Sequence, residues 1–295
     1  MMGSILQKFD RSIVEGPLRS AVSKLAWPTM LQNVIAGLQG IIDHAMVGHY
    51  VGYTANAAIG VSWQIFLVVI VFIASLYSGM GVLVARFTGA CEPQKVNRVV
   101  QQAFLTSIFL SVVLAIAGYL LSPYLLDVVR AAPDVKAAAL PFLRTMFVGN
   151  VGLLVFFMLG GAFRAAGDAR TPLLLGVSAT VLNAAFNVLL IPRYGPFGAA
   201  LGTVTANLIV AGVGNALVLS GRFAIRVPRP LSVAPDWTII RSIFKFGLPT
   251  GLQGIAMNVA GVFLLRFMGA LEHSAAAQAA YAVGYTQLFS LITWT

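Results

Sequence analysis

The sequence predicts an all-α fold: a polytopic membrane helix bundle with one complete six-helix lobe and the start of a second, pseudo-symmetric lobe. Three observations lead there. Charged residues are 9% of the 295 and mean hydropathy is +0.88, whereas a soluble domain carries about a quarter charged residues. A chain of this makeup has nowhere to hide its apolar surface in water. Apolar stretches of about 20 residues, the length that crosses a bilayer core, recur along the chain. Finally, Leu25-Ala-Trp-Pro-Thr-Met-Leu-Gln32 returns as Phe246-Gly-Leu-Pro-Thr-Gly-Leu-Gln253, with Pro28, Thr29, Leu31 and Gln32 matched identically and Gly48 matched by Gly269. An internal repeat of this length points to a transporter built from two related bundles with the substrate path between them.

Residues 1–24 form a cytoplasmic lead-in. Ile5, Phe9, Ile13, Leu18 and Val22 alternate there with Lys8, Arg11, Arg19 and Lys24, which suits an amphipathic helix lying on the membrane; a disordered polar segment is the other reading. Six spans follow at 25–47, 57–82, 99–121, 138–162, 172–192 and 197–220, and together they make the first lobe, 25–220. Between them stand the breakers expected of short connections: Gly89 with Pro93, Pro133-Asp134, Gly167-Asp168 with Pro172, and Gly195-Pro196. A basic inter-lobe loop covers 221–242. The incomplete second lobe, 243–295, holds a seventh span at 243–268 and an eighth opening near 276. Because that eighth run reaches Thr295 still apolar, about 150 further residues are expected to complete the second lobe.

Net charge is +10, but the basic residues sit in the connections rather than in a patch, so the charge speaks of topology and not of nucleic acid. Fourteen Lys and Arg fall on the side of the N-terminus against four on the other, which places the N-terminus in the cytoplasm. The single cysteine, Cys91, excludes an internal disulfide. No short apolar core with a small-residue cleavage site opens the chain, so no signal peptide is expected.

Asp43 is the one carboxylate inside the first six spans. A charge at such depth is expensive and persists for a reason. Counted from Leu25 it lies about 27 Å along its helix, toward the outer leaflet. A carboxyl held away from water there can load and release a proton; an interfacial acid facing water or a nearby cation is the alternative. Arg144 lies at a comparable depth on the fourth span, and three fates stay open for it: snorkelling to the outer headgroups, a structural pair with Asp43, or a switch. Asn183 and Asn187 are four apart and share a face of the fifth span, either to hydrogen-bond a protonated Asp43 or to hold helices together. Gln64, Thr203, Asn207 and Arg144 are candidates for lining the substrate cavity. Phe156, Phe157, Met158, Phe186 and Met46 could line it too or face lipid. The loop 164–172 reads as a tight cytoplasmic turn with a topological and gating role. His44, His49 and His273 lack metal-ligand spacing, so no metal site is expected. An intramembrane enzyme would need a nucleophile or acid pair with a base inside the spans, and one aspartate does not supply it.

In order and spacing, these segments resemble the multidrug and toxic compound extrusion (MATE) transporters. The resemblance rests on Leu25 to Gln32, on Ile42-Asp43-His-Ala-Met-Val-Gly48 with Val51-Gly52 behind it, and on Arg164-Ala-Ala-Gly-Asp-Ala-Arg-Thr-Pro172. It continues in Leu182-Asn183-Ala-Ala-Phe-Asn187 and in Gly195-Pro-Phe-Gly-Ala-Ala-Leu-Gly-Thr203. Within the family, Asp43 stands where the proton-coupled, DNA-damage-inducible-protein-F-like (DinF-like) branch has its helix-1 acid, and the seventh span has no acid where the sodium-coupled branch has a glutamate. One departure is plain: that branch reads Asn-x-x-x-Asp in the fifth helix, and here it is Asn183-x-x-x-Asn187. The family's twelve helices imply that this chain is C-terminally truncated. The resemblance implies proton antiport of amphipathic or cationic drugs or toxic metabolites by alternating access, with Asp43, Asn183 and Asn187 in proton coupling. It implies no cofactor beyond the proton gradient, membrane lipid and a small amphipathic or cationic molecule as partners, a monomer when complete, and the bacterial inner membrane as location. A lipid-linked precursor or polysaccharide flippase of related architecture and a non-transporting half-transporter are the alternatives.

Overall fold

The computed structural model describes residues 17–165, 167–219 and 234–284, and within them every regular element is helical. The helices are α1 (Leu18–Tyr50), α2 (Tyr53–Gly89), α3 (Pro93–Val128), α4 (Pro133–Val148), α5 (Asn150–Ala165), α6 (Arg170–Tyr194), α7 (Pro196–Leu219), α8 (Trp237–Met268) and α9 (Ser274–Tyr281). Proline opens α3, α4 and α7, a position where the missing N–H would have no intrahelical partner in any case. Gly52 and Gly195 precede α2 and α7 with φ of 108° and 56°. These left-handed turns let consecutive helices reverse across a few residues.

Two expectations are corrected. The span placed at 138–162 is not one helix: α4 and α5 meet at Gly149 and bend by 50°. A Cβ at Gly149 would run into Val204 of α7, so glycine lets α7 press against the break. Asn150, buried just beyond it, binds Ser111 of α3, their side chains paired and Asn150 Nδ2 donating to Ser111 O at 3.3 Å. Partners of this kind keep a broken helix tolerable inside a membrane. Second, α2, α3 and α8 all extend past the apolar runs that marked them, and α8 already begins at Trp237 inside the stretch read as inter-lobe loop. Hydropathy finds the hydrocarbon-embedded middle of a helix, whereas backbone hydrogen bonding carries it on into the headgroup region. Of the lead-in, 18–24 are the first turns of α1; residues 1–16, like 220–233 of the loop, lie outside the described residues.

By length and composition, α2, α3, α6, α7 and α8 can each cross a membrane, and the bent pair α4–α5 can make a sixth span. Helix α1 falls short of that mark. It carries Gln32, Asn33, Gln39, Asp43 and His44 along its length, and what those residues meet decides the site.

Helix α2 is the centre of the packing, touching α3, α4, α5, α8 and α9. One buried apolar cluster gathers Phe66, Leu126, Leu143, Phe147 and Leu265, and a second gathers Leu76, Met80, Val99, Met158 and Phe163. The α2–α8 contact is the most extensive, and it is close: a Cβ on Gly247 would strike the Ser75 carbonyl, and one on Gly79 the Ile243 carbonyl. Small residues that admit backbone-to-backbone approach are how membrane helices associate when lipid is as apolar as the protein. By contrast, α1 touches α2 little and packs chiefly on α6, which packs in turn on α7.

Candidate functional site

Contacts between α1 and α6 advance together along both helices: Gln32 sits over Gly176, Gln39 meets Thr180, and Asp43 meets Asn187. The two helices therefore run in the same direction, side by side. On α1 the polar residues fall at 32, 39 and 43, and on α6 the facing residues fall at 176, 180, 183 and 187, spacings that keep each set on one helical face. The polar stripe that costs α1 its hydropathy is thus matched by a polar stripe on α6.

Toward the C-terminal ends of the two helices the seam becomes a cluster. Asn187 Nδ2 donates to Asp43 Oδ1 at 2.7 Å and to Asn183 Oδ1 at 3.2 Å. Asn183 Nδ2 donates to Thr203 Oγ1 of α7 at 3.0 Å, and that hydroxyl donates to the Ala199 carbonyl at 3.0 Å. One turn inward, Thr180 Oγ1 donates to Gln39 Oε1 at 2.9 Å. Asn183 and Asn187 are 1% and 0% exposed. Gly202 makes room for this on α7, because any Cβ there would collide with Asn187 Oδ1. That oxygen is buried and has no partner.

No cation pairs with Asp43 among the described residues; its partners are amides. The consequence is chemical, since an amide offers a donor at one end and an acceptor at the other. The Asn183 amide lies 3.1 Å from Asp43 Oδ1. With the Asn183 amide turned over, its nitrogen donates to Asp43 Oδ1 at that same distance, and its oxygen accepts from Thr203 Oγ1 at 3.0 Å and Thr203 N at 3.2 Å. The turned form suits a charged carboxylate, although it sets the two asparagine nitrogens 3.2 Å apart.

Of the sequence candidates, Asp43, Asn183, Asn187 and Thr203 come together. Asn207 lies one turn along α7, donating to the Thr203 carbonyl at 2.8 Å, and with Thr203 it lines a small cavity that reaches Gly149 and Asn150 at the break between α4 and α5. Gln64 does not join them: its amide donates to Asn258 O at 3.2 Å across the α2–α8 contact. Nor does Arg144 join them. Its guanidinium lies 4.4 Å from the Tyr119 ring centroid and Nε donates to Tyr119 O at 3.4 Å, so the pairing with Asp43 is corrected to a cation–π contact on α3. His44 anchors α1 to α2 through Asn56 at 3.1 Å. In the loop 164–172, Asp168 binds Arg170 N and Thr171 N, each at 3.0 Å, and so caps α6.

Sequence reasoning missed Gln39, Thr180, Gln32 and the inward course of Arg164, whose Nη1 donates to Gln32 Oε1 at 3.2 Å. The signal was present: Gln39 and Gln32 stand four and eleven residues before Asp43, on its face of the helix.

Long apolar helices joined by short turns, with a carboxylate on one of them met by amides, define a polytopic helical membrane protein. The MatE family model matches residues 28–189, and the chain belongs to that family. It is 28% identical over 248 residues to the probable multidrug resistance protein NorM of Thermotoga maritima, covering 82% of this chain and 53% of that protein. It is 26% identical to the multidrug resistance protein MdtK of Pectobacterium atrosepticum, covering 78% and 52% of the two chains. The chain thus spans about half the length of the curated relatives it matches. Among solved structures, the inward-facing conformation of a multidrug resistance MATE family transporter superposes with a TM-score of 0.77 at 20% identity, over 92% of this chain and 64% of that one. The outward-facing conformation superposes with a TM-score of 0.78 at 21% identity, over 96% and 69%. At these identities the likeness is one of fold, and it agrees with the helix-bundle architecture expected from sequence.

Proposed function

We propose that this lobe serves secondary active efflux of amphipathic, often cationic, compounds by proton antiport, with Asp43 as the proton carrier and Asn183 and Asn187 as the groups that sense its charge. The observation that carries the reading is the amide cage: the one carboxylate within the lobe's spans meets Asn187 at 2.7 Å and, among the described residues, no cation. A permanently paired aspartate would be a fixed anion, whereas one held by amides can exist charged or neutral. Alternating access requires a ligand that binds one conformation better than the other. Here loss of the proton would exchange an acceptor for a donor at Asn183 and redirect the Thr203 hydroxyl from the Ala199 carbonyl toward Asn183. The link between α1, α6 and α7 would then differ between the two states.

One further point favours protons over sodium: helix α8 contains no acid, where the sodium-coupled branch has a glutamate. The DinF-like branch, a bacterial inner-membrane location and a cytoplasmic N-terminus belong to the same proposal, supported by the charge bias of the loops. The test is dye efflux from cells under an imposed pH gradient, with and without sodium. Efflux should follow the proton gradient in sodium-free medium, and Asp43→Asn, which keeps the shape and removes the proton, should abolish it at unchanged expression. Strict sodium dependence of the parent protein would sink the reading.

A further inference from the structure

The motif 164–172 leaves one feature that proton coupling does not use. Arg164 ends α5, yet its guanidinium does not reach outward to water. It folds back over Gly160, where a Cβ would sit 3.3 Å from Nη2, and donates through Nη1 to Gln32 Oε1 at 3.2 Å. Tyr77 of α2 packs against the same stretch of α5, where a Cβ on Gly161 would sit 3.0 Å from its ring, and that ring stacks on Phe157 with centroids 6.2 Å apart and planes 10° from parallel. Among the described residues no carboxylate pairs with Arg164. Asp168, four positions on, is engaged by Arg170 N, Thr171 N and the Thr171 hydroxyl. A guanidinium has five N–H donors, and the hydrogen bond to Gln32 uses one.

A cation drawn into a lobe without an anion is costly, and the cost is relieved by an anionic partner. The place is suited to one. Helix α1 packs little on α2, and Arg164, Gln32 and Tyr77 each keep part of their surface open. We propose that Arg164, with Gln32 and Tyr77 beside it, is an oxyanion site that takes the phosphate or carboxylate head of an amphiphile, whose apolar part lies along Tyr77 and Phe157. The planar fork of arginine matches such a group with two parallel hydrogen bonds. This extends the range of ligands from cationic amphiphiles to anionic and zwitterionic ones, and it rests on the efflux reading only for what becomes of the anion after binding. A phospholipid headgroup and a free organic anion share this chemistry.

Binding is measured without any gradient, by native mass spectrometry of the detergent-solubilised protein titrated with octyl phosphate, octyltrimethylammonium or short-chain phosphatidylglycerol. Arg164→Gln should weaken octyl phosphate or phosphatidylglycerol by about tenfold or more, the effect of losing a charge-assisted hydrogen-bond partner, and leave octyltrimethylammonium unchanged. Arg164→Lys should fall between. Gln32→Glu, which places a carboxylate within reach of the guanidinium, should lose the anion to the same extent while keeping the fold, and it decides the matter alone if Arg164→Gln does not fold. Arg170→Gln, at an exposed position in the same loop, should bind like the parent. Arg164-dependent binding of phosphatidylglycerol alone identifies a lipid as the source, and of octyl phosphate a free anion. Unchanged octyl phosphate and phosphatidylglycerol affinity in Gln32→Glu, or an equal loss in Arg170→Gln, overturns the proposal. Asp43→Asn should bind octyl phosphate normally, so that failure of proton coupling and failure of this site are told apart.

Discussion

Asp43 is unusual less for being an acid in a membrane helix than for the company it keeps. Asparagine at both 183 and 187 surrounds one titratable group with side chains that hydrogen-bond in either direction, and one carboxyl must supply the whole difference between states. Asn187→Asp should therefore retain efflux and shift its pH dependence, because two carboxyls at hydrogen-bonding distance titrate as a pair. Asn187→Leu should impair efflux by removing the donor at 2.7 Å. Efflux measured from pH 5 to 9 checks both, and wild-type profiles for the two variants would reduce α6 to packing. At this scale the sequence was informative where residues share a face. The four-residue spacing of Asn183 and Asn187 was legible, and Asn187 does meet both Asn183 and Asp43. Arg144 was placed by depth, which says nothing of direction around a helix, and Gln64 by its polarity within a span; one points to Tyr119 and the other to α8.

Two contacts between helices organise the molecule, and they are built differently. The α1–α6 seam is polar, and the α2–α8 contact is lined by glycines whose backbones approach α2 closely. Gly247→Val should overpack the latter against the Ser75 carbonyl and destabilise the protein by about 1–3 kcal/mol, the usual range for forced overpacking. Gly212→Val, at a position with open space around it, should be close to neutral. Thermal unfolding in detergent distinguishes them, and equal melting temperatures would mean that the helices separate at no cost. The order of the helices could be read from hydropathy and from the breakers. The bend at Gly149 could not, since a continuous apolar run looks the same whether the helix inside it is straight or broken. The coming polar seam made α1 the least apolar of the long helices, so the feature that weakened its span signal is the one that builds the site.

For the whole molecule, topology is the first quantity to test. Cys91 is the single cysteine and is exposed in the turn between α2 and α3, amid Arg86, Lys95 and Arg98. With the N-terminus cytoplasmic, this turn faces the cytoplasm, so a membrane-impermeant maleimide should label Cys91 after permeabilisation and leave it unlabelled in intact cells. Labelling in intact cells would invert the orientation. The internal repeat made a two-lobe architecture legible before any coordinates, because Pro28 and Pro249 stand at matching places in helices that open their lobes. What the repeat could not tell is which groups couple one lobe to an ion, since that depends on side chains meeting across helices distant in sequence. The claim on which the account depends is that Asp43 exchanges a proton as substrate moves. In sodium-free proteoliposomes carrying a lumenal pH dye, adding transported substrate should release protons with the parent protein and release none with Asp43→Asn. Equal proton release by the two proteins would contradict it.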